Sequence, residues 1–437
     1  MLTDPTTDPD TTATEGRAPD AGALETDTWQ AAIDEAAAAG GGTVVVPAGL
    51  HPTGSLRLRS HVELHLEAGA VLRFVPDPAL YPPVEGRWEG APETIHQPCL
   101  YARDETNVSI TGFGTIDGQG APWWDTFRHR RDELAHPRPT LLGLHECRRV
   151  TVRDVTLRDS PSWTVHPLLC DGVTLTNLQI VNPPDSPNTD GIDPESSRNV
   201  RISDCHIDVG DDCIAIKAGT ERSPERVPCE NITITNCTMV HGHGGVVLGS
   251  EMSGGVRDVV ISNCVFTGTD RGIRFKSRRG RGGVIEDVRV VNVIMRGVMC
   301  PFVVNPFYFC GPGGDHPSVA DRAPHPVAGT TPVFRRIHVA HVSARDVHAA
   351  AGYLYGLPEQ PLDDVTFDDV SISFAADAEP GVPAMADGVD AVVRAGFRVG
   401  FLSGAHFSRV RVAGVEGPAV VAEQAPDLPV EVTSPAR

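Results

Sequence analysis

The sequence predicts an all-β solenoid: a single-stranded, right-handed parallel β-helix with a short capping helix at its N-terminal end. Three observations carry this. Composition favours short strands and turns, with 44 Gly and 37 Pro but only 5% aromatic residues. One seven-residue form (polar, apolar, polar, apolar, polar, polar, apolar) recurs in NVSITGF (107–113), RVTVRDV (149–155), GVTLTNL (172–178), NVRISDC (199–205), NITITNC (231–237), DVVISNC (258–264), DVRVVNV (287–293), RIHVAHV (336–342) and DVTFDDV (364–370). The second residues of the central copies, Val173, Val200, Ile232, Val259 and Val288, are spaced by 27, 32, 27 and 29. Alternation with period two means a strand with one buried face, and repetition at this length means a solenoid or a propeller. A propeller blade needs about 40–45 residues, and the leucine and asparagine template of a leucine-rich repeat is absent. One coil of a parallel β-helix per repeat remains.

Taken in order, residues 1–23 lack a basic start and an apolar core, so they read as a disordered tail without a secretory signal, and a cytoplasmic location is expected. In 26–42, Trp29, Ile33 and Ala36 follow helical spacing, Thr26 or Asp27 is placed to cap, and the run at Gly40 ends the helix. A buried strand follows at 43–49, and then the repeats. Pro-rich gaps at 76–100, 119–140 and 306–332 read as loops leaving the coil, within a single domain spanning 24–437. No apolar run reaches about 18 residues, so no membrane span is expected. A formal net charge of −20 argues against a nucleic-acid partner. Cys205, Cys237 and Cys264 recur in matching strand contexts and read as stacked buried thiols.

The chemistry concentrates between Asn188 and Lys217, which holds Asp190, Asp211 and Asp212. Residues one coil apart become neighbours about 4.8 Å apart. Asp190 precedes Asp211 by 21 positions, Asp212 precedes His243 by 31, His243 precedes Arg274 by 31, and Lys276 precedes Tyr308 by 32. The spacing therefore predicts that these side chains share one face. Inverting glycosidases hold two carboxyl groups about 6.5–9.5 Å apart around the attacking water. Asp211 and Asp212 would point to opposite sides of a regular strand, and Gly210 offers the bend that turns both to a cleft. Crowded carboxylates raise at least one pKa, as a general acid requires. A turn Asp ordinarily just satisfies backbone, and Asp193 reads as structural. His243, between glycines, reads as an orienting group rather than a metal ligand with His241. Arg274 and Lys276 lie on one strand face with Phe275 inward, suited to a carboxylate, while Arg278, Arg279 and Arg281 read as a solvated loop. Lys217 and Lys276 are the only two lysines in the chain.

NTD at 188–190, GDD at 210–212, GHG at 242–244 and RFK at 274–276 resemble, in order and spacing, the four signature motifs of glycoside hydrolase family 28, the polygalacturonases, in a bacterial exo-type form. The resemblance runs from about residue 24 through Tyr308, includes GSEMSGGVRDV (249–259), and fades after about 376. It implies a pectin-lyase-like fold, inversion, no metal and no other cofactor, with a galacturonide oligosaccharide or polysaccharide as substrate. It implies Asp211 as general acid, Asp190 and Asp212 as activators of water, and His243 as support for the acid. Arg274, Lys276 and Tyr308 would bind substrate, with Asn188 and Lys217 as further contacts. The family's usual RIK is RFK here. Alternatives are a rhamnogalacturonan or xylogalacturonan hydrolase, a calcium-using pectate lyase, and a non-catalytic glycan-binding β-helix.

Overall fold

The computed structural model describes residues 23–423 and the backbone of Val430–Thr433, so nearly all of the expected tail lies outside the described residues. The helix Thr26–Ala38 buries Trp29 and Ile33 against the strands Gly42–Val46, Leu56–Arg57 and Val62–Leu66, covering the open end of the stack. Its cap is Glu25 rather than Thr26 or Asp27. The Glu25 carboxylate makes no capping bond; it accepts from Trp29 Nε1 at 3.0 Å and faces His51 Nδ1 at 2.9 Å.

All strands that build the coils pair in parallel. Val108, Val150, Val173, Val200, Ile232, Val259, Val288, Ile337 and Val365 are successive rung partners, each buried. These are the second residues of the nine repeats, so the apolar period sets the register of the whole ladder. Each such side chain taken from water contributes about 1.5–3 kcal/mol. Cys205, Cys237 and Cys264 are buried free thiols in the same stack. Among the described residues no helix is long and apolar enough to cross a membrane.

The first residue of each repeat turns the coil. Asn199, Asn231, Asp258 and Asp287 sit at φ 58°, 56°, 57° and 55°, a left-handed conformation that Asn and Asp tolerate best among residues with a Cβ. Their amides also bridge rungs: Asn231 donates to Asn199 Oδ1 at 2.6 Å, and Asn199 to Asp171 Oδ1 at 2.6 Å. Asn231→Val is expected to lower the unfolding free energy by about 1–2 kcal/mol through the backbone alone, read by urea titration, with Asn231→Gly costing less. Equal stability of all three would show that the corner needs no such residue.

The Pro-rich gaps hold more than loops. Pro83–Trp88 and Ala91–His96 form an antiparallel hairpin, and Ala121–His129 and Pro317–Ala320 are helical. One sheet of the coil carries the strands Asp212–Ile216, Gly244–Leu248, Arg271–Lys276, Cys300–Asn305, Ala350–Tyr355 and Ala395–Gly400. Ahead of it lies the sheet ending in Val165–Leu168. Only isolated bridges through Ile192 and Glu195 join the two. The irregular rung between them holds Asp190.

Candidate active site

Rung partners on this face run Ile192, Ile214, Val246, Ile273, Phe302, so successive coils advance by 22, 32, 27 and 29. Asp190 therefore falls opposite Asp212, and His243 opposite Asp211, whose carbonyl accepts from His243 N at 3.1 Å. None of the four expected pairs is in register: Asp190–Asp211 and Asp212–His243 are each off by one position, Arg274 pairs with Val247, and Lys276 with Asn305. A uniform coil-length step fails because the coils differ in length. Side-chain reach restores the cluster. Arg274 Nη1 lies 3.4 Å from Asp212 Oδ1, and the Tyr308 ring lies 5.3 Å from Lys276 Nζ and 5.6 Å from the Arg274 guanidinium carbon.

Asp211 sits in a bend ahead of the strand that begins at Asp212. Gly210 permits the bend, since a Cβ there would lie 2.4 Å from the Ser186 carbonyl oxygen. Asp190, Asp211 and Asp212 each place a carboxylate oxygen within 4.8 Å of the others. This is closer than the separation of roughly 6.5–9.5 Å that an inverting pair leads one to expect. Two of the three are chain neighbours, and the third faces them across one rung. Asp190, Asp211, Asp212, Asn188, Lys217, Lys276 and Tyr308 line a cleft of about 170 Å³. His243 stands at the rim behind Asp211, its Nδ1 3.2 Å from Asp211 Oδ1, and that contact raises its pKa. Arg274 is buried beneath the cleft, also donating to Met385 Sδ at 3.0 Å, rather than free to hold a ligand carboxylate.

The three carboxylates are electrostatically distinct. Burial would raise Asp212, but the charges of Lys276 (Nζ at 2.7 Å), Arg274 and Lys217 outweigh it and hold Asp212 well below the ordinary carboxylate range. Burial, joined by the charges of Asp193 and Asp211, pushes Asp190 well up. Asp211 is the most accessible, and its Oδ1 accepts from Asp212 N at 3.0 Å. Such a carboxylate group suits a hard cation in principle, but two buried cations already occupy Asp212.

Lys217 is a counter-ion within the floor. Its Nζ lies 3.7 Å from Asp190, 3.4 Å from Asp193 and 3.5 Å from Glu251, and 4.6 Å from the Trp163 ring centre. Its charge is shared among three protein carboxylates, while its side chain still lines the cleft. Asn188 Oδ1 accepts from the buried Arg138 at 2.7 Å, leaving its amide for the cleft. Asp193 is fully buried, with neither carboxylate oxygen hydrogen-bonded, and burial pushes it up to about 7.

Several residues of the site are not evident in the sequence. Glu251 lies in the GSEMSGG stretch, where its neighbours gave no coil-length signal. Glu89 and Trp163 also line the cleft. Glu89 arrives on the hairpin, which is pinned by Arg87 to Glu195 at 3.0 Å and by Trp88 stacked on Trp163 at 5.5 Å. Arg278, Arg279 and Arg281 are buried, not solvated. Arg279 forks onto Glu359 at 2.6 and 2.9 Å, and Arg278 donates to Glu221 at 2.6 Å. They fasten the outer loops over the sheet.

A model of "Glycosyl hydrolases family 28" matches residues 86–382. The "Probable polygalacturonase" of Vitis vinifera is 36% identical over 368 residues, covering 82% of this chain and 72% of the relative. An endo-polygalacturonase of Pectobacterium carotovorum subsp. carotovorum is 34% identical over 281 residues, covering 62% and 68%. Among solved structures, a hyperthermoactive exopolygalacturonase from Thermotoga maritima superposes with a TM-score of 0.72 at 30% identity, covering 83% of this chain and 86% of that one. With the family matched across more than half its length and a parallel β-helix presenting three clustered aspartates, the chain belongs to glycosyl hydrolases family 28.

Proposed function

We propose that the protein hydrolyses α-1,4-galacturonosidic bonds with inversion, releasing units from the end of an acidic oligosaccharide. The observation that carries this is the meeting of Asp190, Asp211 and Asp212 in a cleft whose wall holds Lys276 and Tyr308. Asp211, the accessible one and backed by His243, protonates the leaving oxygen. Asp212 stays ionised and aligns the water, and Asp190, the more basic, accepts its proton as the water attacks. Lys276 and the Tyr308 hydroxyl receive the sugar carboxylate, with Arg274 adding charge from beneath. Relatives named polygalacturonase support the substrate class.

End-on action is supported by walls on both sides of the cleft. The hairpin tip stands on one side. On the other, the Val382–Met385 stretch is tied down by Arg271, which donates to the Val382 carbonyl at 2.6 Å. Chromatography of polygalacturonate digests over time tests this: galacturonate monomer or dimer is expected from the first minutes, and a spread of intermediate lengths overturns end-on action. Absence of new reducing ends overturns hydrolysis, and an unsaturated ultraviolet-absorbing product abolished by EDTA establishes a lyase. NMR of the first product from an α-linked substrate is expected to show the β-anomer, and α-anomer overturns inversion.

Lys276→Met is expected to lower kcat/KM on galacturonides by about 10–100-fold, the size of one charge-assisted hydrogen bond. Because Lys276 holds Asp212 down, its loss raises Asp212, so the acid side of the pH–rate profile moves to higher pH. A loss confined to KM with an unmoved profile would show that Lys276 serves substrate alone.

A second reading makes Asp190 the general acid, favoured by its raised pKa. The two readings separate by leaving-group dependence: rescue by an acidic leaving group marks the variant that has lost the general acid.

A further inference from the structure

Beyond the cleft, on the same face of the same sheet, lies a larger cavity of about 520 Å³ lined by Arg322, Tyr353, Tyr355, Asp387, Arg398 and Glu423. Its floor is set by register. Arg274, Val303, Tyr353 and Arg398 are successive rung partners, and Tyr355, Gly400 and Glu423 form a second such row. Tyr353 thus lies two rungs, about 10 Å, past Arg274, and Arg398 three rungs, about 14 Å. The Tyr353 and Tyr355 rings stack with centres 4.3 Å apart. Gly400 makes room for this floor, because a Cβ there would lie 2.4 Å from the Tyr355 ring. Arg322 packs its guanidinium 3.7 Å from the Phe307 ring centre and donates to the Tyr353 hydroxyl at 3.5 Å, which fixes it at the rim. The Arg398 side chain has no hydrogen-bond or ion-pair partner among the described residues and lines the cavity.

The geometry points to this cavity as a second, non-catalytic binding site for a uronate unit, with Arg398 and Arg322 taking its carboxylate. The chemistry follows from the lining. Aromatic groups supply a flat apolar face for a sugar ring. Two guanidiniums supply forks for a carboxylate, and Asp387 and Glu423 accept from sugar hydroxyls. The cavity repeats the cleft's combination of cation, carboxylate and tyrosine without its cluster of three aspartates. The Val382–Met385 stretch stands between the two, with Met385 on Arg274 and its carbonyl accepting from Asn305 Nδ2 at 3.0 Å. The two are therefore separate sites. The identity of the sugar rests on the function proposed above.

The test is calorimetric titration of the full chain carrying Asp211→Asn, which slows turnover, with digalacturonate. Two molecules per chain are expected. Adding Arg398→Ala removes one and leaves the affinity of the other within twofold, and Arg398→Lys weakens the second site without abolishing it. Fully methyl-esterified digalacturonate is expected to fill the second site at least tenfold more weakly, the loss of one charged hydrogen bond. Arg398→Ala in the active enzyme leaves digalacturonate turnover and the thermal midpoint unchanged, which separates lost binding from lost folding. One molecule per chain, a stoichiometry indifferent to Arg398→Ala, or equal binding of the ester overturns the site. If the chain cuts no galacturonide yet still loses a bound digalacturonate with Arg398→Ala, the proposed function fails and this site stands.

Discussion

Asp211→Asn is expected to lower kcat on galacturonides by about 10²–10⁴-fold, the usual worth of a positioned general acid, with folding unchanged. The variant keeps what holds the side chain. An Asn Oδ1 still accepts from Asp212 N and still faces His243 Nδ1, so the bend after Gly210 has no reason to move. Only the proton is lost. The loss should then depend on the leaving group: a galacturonide of an acidic phenol needs little protonation and should fall less than tenfold. Asp212→Asn removes the group that aligns water, so its loss should be the same for both kinds of leaving group. A variant at Asp211 with most of its activity would sink the assignment. Leaving-group rescue at Asp190→Asn instead would move the acid's role to Asp190, whose raised proton affinity makes it the competitor. Thermal unfolding of each variant separates chemistry from folding.

How much of this was legible in the sequence depends on what kind of spacing encodes it. The core ladder was fully legible, because each buried Val or Ile answers to a period of two within a strand and to one coil between strands; Val173 through Val288 pair as their spacing required. The aspartates were legible as a cluster for the same reason. Cross-rung partners of the cations were not. Unequal coil lengths, with steps of 22, 32, 27 and 29, shift the polar positions against one another, so Arg274 lands beside Val247, and only its length carries it back to Asp212. The burial of Arg278, Arg279 and Arg281 has no local signal, since a run of arginines looks solvated until the loops that supply Glu221 and Glu359 are folded over it. The hairpin could not be read at all as part of the site. Arg87 meets Glu195 from 108 positions away, and no periodic pattern reports a contact of that kind.

Lys217→Met is expected to cost about 3–5 kcal/mol of folding stability at neutral pH, the range seen when one partner of a buried ion pair is removed. Methionine fills nearly the same space against Trp163, so the loss isolates the charge. In the native protein Glu251 would be raised by its burial, but Lys217, Arg281 and Lys276 outweigh this and hold it at about 2. Being depressed, it contributes stability that is present above its ordinary 4.5 and lost as pH falls through about 2. Asp193 runs the other way. Raised to about 7, it favours the folded state below its ordinary 3.8, and that contribution is lost as pH rises through about 7. Without Lys217 both carboxyls bind protons more tightly in the folded chain, so acidification should relieve the variant. Urea titrations at pH 4.5 and 7.5 read this directly, with the gap between native and variant expected to be smaller at pH 4.5. An equal gap at both values would mean that Lys217 acts through packing on Trp163 rather than through charge. Activity should follow the same sign: Asp190 loses a cation 3.7 Å away, its proton becomes harder to remove, and the acid side of the pH–rate profile should move upward. One of the chain's two lysines thereby sets both the stability of the floor and the proton affinity of the group that receives the water's proton.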